Sequence, residues 1–118
     1  MKNFSTIYEV TFEDVLEILN RWQSGSMTRE EVFDFAESLY YLNTPYGFPE
    51  VPKDDRRYVL FSTLELLEMM YTNPTLEEDI PALKRYLLAG KENPVGASKE
   101  LDEYWSEVDF DSRLTSSK

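Results

Sequence analysis

The sequence predicts an all-α fold: a single-domain bundle of four to five helices with an N-terminal helical hairpin and a Pro-rich loop before a buried central helix. Three observations support this prediction. Apolar residues recur with the spacing of amphipathic helices along most of the chain. No segment alternates apolar and polar residues as a half-buried strand would. The 118 residues, 42% of them hydrophobic, are also sufficient for one helical core.

The first two predicted helices have clear start signals. Thr11 with Asp14 forms a cap at the beginning of helix 1, and Gly25 is placed to end that helix. Thr28 and Glu31 form a T-x-x-E capping box at the beginning of helix 2. Because only a short link separates the end of one helix from the start of the next, we expect an antiparallel hairpin.

A Pro-rich loop and the most apolar helix follow the hairpin. Prolines and a glycine exclude regular helix from residue 43 to about residue 55. Residues 55–71 then form a helix that is apolar nearly all round, which predicts that this helix is central and buried.

The remaining elements are predicted from the same kinds of signal. Helix 4 covers about 79–90, a hinge covers 91–97, and helix 5 covers about 98–108. We therefore assign residues 1–110 to one helical domain and residues 111–118 to a frayed, polar C-terminal tail.

The composition argues against most catalytic and metal chemistry. The chain has no cysteine and no histidine, so it lacks thiolate ligands, a Cys nucleophile, and the commonest general base and transition-metal ligand. It also lacks a Gly-rich phosphate loop, and Asp109-x-Asp111 lacks the glycine that would continue an EF-hand loop. We predict no catalytic, cofactor-binding or metal site and no enzyme. The open alternative is a carboxylate enzyme with Glu65 and Glu68 near a pocket.

The charge predicts the class of partner. There are 23 Asp and Glu residues against 12 Lys and Arg residues, a net charge of -11. Such a charge repels nucleic acid and anionic membranes and favours basic proteins. No apolar run approaches the roughly 18 residues that a membrane helix needs, and the first ten residues do not form a secretory signal. We expect a cytoplasmic protein-binding module whose partner is a basic protein. The alternative for the charge alone is a solvated surface that keeps the protein in solution.

Five residues are the candidate partner-binding residues. Helical spacing places Glu30, Asp34 and Glu37 on one exposed ridge, where they would steer a basic partner. Tyr46 and Phe48 in the Pro-rich loop would act as aromatic anchors. The alternative for both aromatic residues is that they pack against the helices and complete the core.

The second hypothesis is a structural or regulatory homo-oligomer without catalytic activity. In that case Trp105 and the surface of helix 3 would meet across a two-fold axis. Trp105 could instead complete the core of a monomer, and the sequence leaves both interpretations open.

One stretch of the chain resembles a known family. Residues 19–39, LNRWQSGSMTREEVFDFAESL, are similar to the opening helical corner of small bacterial immunity proteins of the colicin D type. The matching elements are Leu19 and Trp22, the break at Ser24-Gly25, and Met27-Thr28 followed by Glu31 and Phe33. The resemblance implies an acidic protein of four or five helices that plugs the basic active site of a toxin nuclease, with carboxylates standing where substrate phosphates would go. The expected function is therefore an immunity-type inhibitor of a basic toxin.

Overall fold

The computed structural model describes residues 3–42, 47–72 and 74–116, and every regular element in these ranges is helical. The α-helices in these ranges are α1 Phe12–Ser24, α2 Arg29–Tyr40, α3 Arg56–Glu68, α4 Ile80–Gly90, α5 Pro94–Ser106 and α6 Phe110–Ser116. Two short 3-10 turns, Ile7–Glu9 and Glu77–Asp79, precede α1 and α4. The prediction of a single all-α bundle is confirmed.

The predicted caps of α1 and α2 are formed. At the start of α1 the Thr11 hydroxyl accepts a hydrogen bond from the Asp14 amide (3.1 Å), and the Asp14 carboxylate accepts one from the Thr11 amide (2.9 Å). Thr28 and Glu31 exchange the same pair of bonds at 3.1 and 3.0 Å. Each pair satisfies two amides that the first helical turn leaves without partners, which fixes where the helix begins. Gly25, at φ 85°, ends α1 in the left-handed conformation that glycine adopts readily.

Helix α3 is the central element of the bundle. It packs against α1, α2, α4 and α5, and its most extensive contact is with α2. The α4 backbone at Gly90 packs closely on the Val59 side chain of α3: a Cβ atom added to Gly90 would lie 2.6 Å from the Val59 methyl groups. The prediction of a buried central helix is confirmed. After two exposed arginines in its first turn, α3 leaves a narrow stripe at the surface, which includes Tyr58, Ser62 and Glu65.

The structure differs from the prediction at the start of α5. The sequence predicts a hinge over 91–97, but α5 already begins at Pro94. Asn93 caps it, because its side-chain oxygen accepts a hydrogen bond from the Gly96 amide at 3.0 Å. Proline is favourable in the first helical turn, where no intrahelical partner exists for its missing N–H. Pro94 therefore begins a helix, although we interpreted it as part of a break.

The structure also differs over the predicted tail. Residues 111–118 are predicted to be frayed, whereas α6 covers Phe110–Ser116. The described ranges consequently hold six α-helices instead of the four to five predicted.

A buried ion pair connects α6 to the rest of the bundle. The Arg113 guanidinium donates to the Asp79 carboxylate at 2.6 and 2.9 Å, and Asp79 has no exposed surface. The Tyr104 hydroxyl (2.5 Å) and the Leu76 amide (2.8 Å) also donate to this carboxylate. Arg113 donates further to the Pro74 carbonyl oxygen at 3.0 Å. These bonds give a polar segment a fixed position, which apolar periodicity does not reveal.

Candidate functional site

The exposed stripe of α3 is the floor of a cleft of about 670 Å³. Residues of the loop at 47–53 form one side of it, and the end of α2 closes it. We call it the Phe48 cleft and define it by Tyr40, Phe48, Tyr58, Glu65, Glu68 and Met69. Its volume lies within the range of about 300–1,000 Å³ that is typical of ligand-binding clefts.

The loop wall of the cleft is tied to α2. The Gly47 amide donates to the Tyr40 carbonyl oxygen at 3.2 Å. The Phe48 ring meets the Tyr40 ring edge to face, with 5.9 Å between the ring centroids. Phe48 is half-buried and packs against the core. It therefore serves both as a wall of the cleft and as part of the core, which are the two roles that the sequence leaves open.

Two carboxylates lie along the floor of the Phe48 cleft. Glu65 and Glu68 are three residues apart on α3 and share one face of the helix. Glu65 is exposed and Glu68 is half-buried. Burial raises the pKa of the Glu68 carboxyl, and the negative charges of Glu37 and Glu65 raise this pKa further.

These acids carry more negative charge than Lys53, which also lines the cleft, can balance. Glu37, Glu65 and Glu68 form no ion pair with any residue that the structure describes. Three like charges are thus held near one another at the edge of an aromatic cleft. In this respect they differ from Asp79, which is neutralised by Arg113.

A second cleft of about 420 Å³ lies on the other side of the α3 stripe. We call it the Trp105 cleft; it shares Tyr58, Ser62 and Glu65 with the Phe48 cleft, and Tyr86, Asp102 and Trp105 close it. At its base the Tyr86 hydroxyl lies 2.6 Å from the Ser62 hydroxyl.

Trp105 is half-buried. Its ring lies 5.1 Å from the Tyr104 ring and 5.5 Å from the Phe110 ring, measured between centroids. It therefore contacts its own α5 and the start of α6 and presents its remaining surface to the second cleft.

Glu30, Asp34 and Glu37 all lie on α2, at the helical spacing of the predicted ridge, but their surroundings differ. Glu37 is half-buried, and its charge acts on Glu68 beside the Phe48 cleft. Asp34 is exposed and lines a different groove, of about 490 Å³, between α2 and the N-terminal residues Asn3 and Phe4. Glu30 is exposed and lines neither cavity.

Of the two predicted aromatic anchors, the structure describes only one. Phe48 lies in the cleft, while Tyr46 falls outside the described residues. Sequence reasoning considered Glu65 and Glu68 only as a catalytic pair, and it missed Tyr40 and Tyr58 as cleft walls. The available signal was the narrow polar stripe on a helix that is otherwise apolar, because such a stripe marks the only face that can line a surface.

Comparison with known proteins gives no match: no family model, no curated protein and no solved structure corresponds to this chain. Within residues 3–42, 47–72 and 74–116, no helix has the length and apolar character needed to cross a membrane. The same residues contain no group of three or more acidic side chains arranged to hold a metal ion.

Proposed function

We propose that this protein is a protein-binding module that inhibits a basic toxin in the manner of an immunity protein. The observation that carries the proposal is the pairing of an aromatic cleft with carboxylates that outnumber the cations in its lining. Glu37, Glu65 and Glu68 supply the negative charge, and Phe48 and Tyr58 supply the apolar contact surface.

Charge and apolar contact have separate parts in this mechanism. The net charge of -11 attracts a basic protein over several ångströms and raises the association rate, an effect that salt screens. The exposed Glu30 and Asp34 add to this long-range field. The half-buried Phe48 then anchors the complex, because a few central residues carry most of the binding energy of an interface and aromatic side chains are enriched there. A toxin site that normally holds phosphates would accept the carboxylates in their place.

The acidic cluster is unfavourable for stability in the free protein. Mutual repulsion and burial both oppose the ionisation of Glu68, as its raised pKa indicates. Residues that lower stability in this way are commonly kept because function needs them. A basic partner would remove the repulsion by supplying the missing positive charge.

Capture of a partner with matched variants tests the proposal. The cleft variant combines Glu37→Gln, Glu65→Gln and Glu68→Gln. A control variant combines Glu92→Gln, Glu103→Gln and Glu107→Gln, which are exposed acids elsewhere on the surface. Both variants change the net charge equally, so a difference between them reports the position of the charges. Each is immobilised and incubated with lysate of the source organism at low and at high salt.

The proposal predicts that wild type and control retain a basic protein at low salt and release it at high salt. The cleft variant should lose that protein. Expression of the captured protein in a host should arrest growth, and co-expression of the wild-type chain should relieve the arrest. Equal retention by both variants, or a captured protein that is harmless to the host, would contradict the proposal.

The homo-oligomer hypothesis makes a different prediction. In the described chain, α3 already packs on four other helices, and Trp105 contacts Tyr104 and Phe110. Within the described residues these contacts leave the cleft stripe of α3 as the surface that a dimer seam could use. A dimer in sedimentation at micromolar concentration, lost on Trp105→Ala, would favour the oligomer over the inhibitor.

A further inference from the structure

We infer that the Phe48 cleft binds an arginine side chain of the partner, with its guanidinium between the aromatic walls and the carboxylates of Glu65 and Glu68. This inference rests on the proposed function and names the chemical group that enters the cleft. The toxin thus inserts a side chain into this protein, in addition to receiving its acidic surface.

The shape of the cleft fits a long side chain. Three rings, those of Tyr40, Phe48 and Tyr58, lie around a space of about 670 Å³ whose floor is α3. Apolar walls accommodate the methylene stem of an arginine, which packs well on apolar surface. The half-buried position of Glu68 places the carboxylate where solvent screens an ion pair less than on an open surface.

The charge balance distinguishes this cleft from its neighbour. The Phe48 cleft contains the carboxylates of Glu50, Glu65 and Glu68 and a single ammonium group, that of Lys53. Its lining is therefore negative by two charges.

The Trp105 cleft is balanced instead. It contains the carboxylates of Glu65 and Asp102 and the ammonium groups of Lys53 and Lys99. Of these two clefts, only the Phe48 cleft attracts a cation.

A guanidinium suits this cleft better than an ammonium group does. Glu65 and Glu68 lie three residues apart on one helix face, so their carboxylates can be reached by the several N–H groups of one planar fork. The same plane stacks on aromatic rings and is weakly hydrated, whereas an ammonium group is compact and strongly hydrated.

The protein already uses this combination elsewhere. The Arg29 guanidinium lies 4.7 Å from the centre of the Tyr71 ring and also donates to the Met70 carbonyl oxygen at 2.8 Å. One arginine thus meets a ring face and a hydrogen-bond acceptor together. The Phe48 cleft offers rings and acceptors of the same kinds, with the acceptors charged.

A peptide titration tests the inference directly. The probe is acetyl-Gly-Arg-Gly-amide, compared with the same peptide carrying lysine or citrulline, and binding is followed by the amide shifts of the labelled, full-length protein. The arginine peptide should shift amides at 47–53 and 58–69. The lysine peptide should bind several-fold more weakly, and the neutral citrulline peptide should give no saturable shifts.

Two variants make the outcome specific. Glu65→Gln with Glu68→Gln should weaken the arginine peptide by about tenfold, the effect of removing two partly exposed ion pairs. Glu92→Gln with Glu103→Gln should leave its affinity within about twofold of wild type. The inference is overturned by shifts spread evenly over the acidic surface or by equal binding of the arginine and lysine peptides. Unchanged affinity of the arginine peptide for the double variant, Glu65→Gln with Glu68→Gln, would overturn it as well. Free arginine binding as tightly as the peptide would also overturn it, because the cleft would then take a small molecule.

The outcome for the partner is separable from the outcome for the peptide. If the arginine peptide does not bind, while wild type captures a basic toxin and the triple variant Glu37→Gln, Glu65→Gln, Glu68→Gln loses it, the inference is wrong while the inhibitor proposal stands. If the arginine peptide binds as predicted but wild type captures no basic protein, the cleft assignment stands and the inhibitor proposal is wrong.

Discussion

Replacement of Arg113 by methionine should strongly destabilise the protein. Methionine keeps an unbranched side chain of similar length but removes the positive charge and the hydrogen bonds to Asp79. The Asp79 side chain has no exposed surface, so its charge cannot be rehydrated in the folded state. It would keep only the bonds from Tyr104 and from the Leu76 amide.

The size of the effect follows from burial. Breaking a buried ion pair by removing one partner costs about 3–5 kcal/mol, since a buried charge is left uncompensated. Because two hydrogen bonds to Asp79 survive, we expect a loss near the lower end, about 3 kcal/mol. That is a large fraction of the roughly 5–15 kcal/mol by which small domains are stable.

Urea unfolding followed by far-ultraviolet circular dichroism measures this loss. The matched control is Arg57→Met, which removes an ion pair to Asp55 in which the arginine side chain is 51% exposed. The control should cost little, because an exposed ion pair contributes little to stability. Asp79→Asn combined with Arg113→Met should recover part of the stability, because no buried charge then lacks a partner. Equal, small losses for Arg113→Met and Arg57→Met would refute the argument that this pair fixes α6.

Three further predictions concern single residues. Glu68→Gln should raise the urea midpoint at pH 7. Burial and neighbouring acids raise the folded-state pKa of Glu68, so the protonated carboxyl favours the folded state. This contribution to stability is fully present below the ordinary pKa of 4.5 and is lost as pH rises through the folded-state pKa. The gain should vanish below pH 4.5, and a gain that persists there would contradict the assignment. Gly90→Ala should destabilise by about 1–3 kcal/mol in thermal unfolding, because the added methyl group overlaps Val59; a rise in Tm, as helix propensity alone predicts, would show that α3 and α4 can separate. Burial and the neighbouring Asp79 raise the pKa of Tyr104. The stability that the protonated Tyr104 hydroxyl contributes is therefore present below pH 10 and is lost as pH rises through the raised pKa. Tyr104→Phe should therefore lose less stability than wild type between neutral pH and alkaline pH, and parallel losses would contradict this account.

Local signals made much of the fold predictable. The caps at Thr11 and Thr28 depend on residues three positions apart, so the sequence displays both partners together. The burial of α3 follows from composition, because a helix that is apolar nearly all round has to be covered by others.

Long-range polar contacts explain what the sequence did not reveal. Arg113 and Asp79 are 34 residues apart, and a charged pair leaves no trace in apolar periodicity, so α6 was assigned to a tail. Pro94 was interpreted as a break, because a proline within a hinge and a proline in a first helical turn look alike until the Asn93 cap is seen.

The candidate site was predicted only in part, for a similar reason. Phe48 stood out as an aromatic residue in a loop, and Glu37 as a member of an exposed ridge. The cleft forms only where the end of α2, the loop and the α3 stripe lie side by side. Their proximity depends on tertiary packing, which local sequence patterns do not display. Glu65 and Glu68 acquire their role only there, because their significance comes from the rings beside them and from a lining that is negative by two charges.

Photo-crosslinking from the cleft wall tests the central claim most directly. A benzophenone amino acid replaces Phe48 in one variant and Leu88 in the control; Leu88 lies on α4, is 56% exposed and does not line the cleft. Each variant is irradiated in lysate of the source organism at low salt, and the crosslinked peptides are sequenced. We predict a basic protein crosslinked at position 48 through an arginine-containing segment, with no such product from position 88. Equal products from both positions, or an acidic protein at position 48, would contradict the claim that the Phe48 cleft is where a basic partner binds.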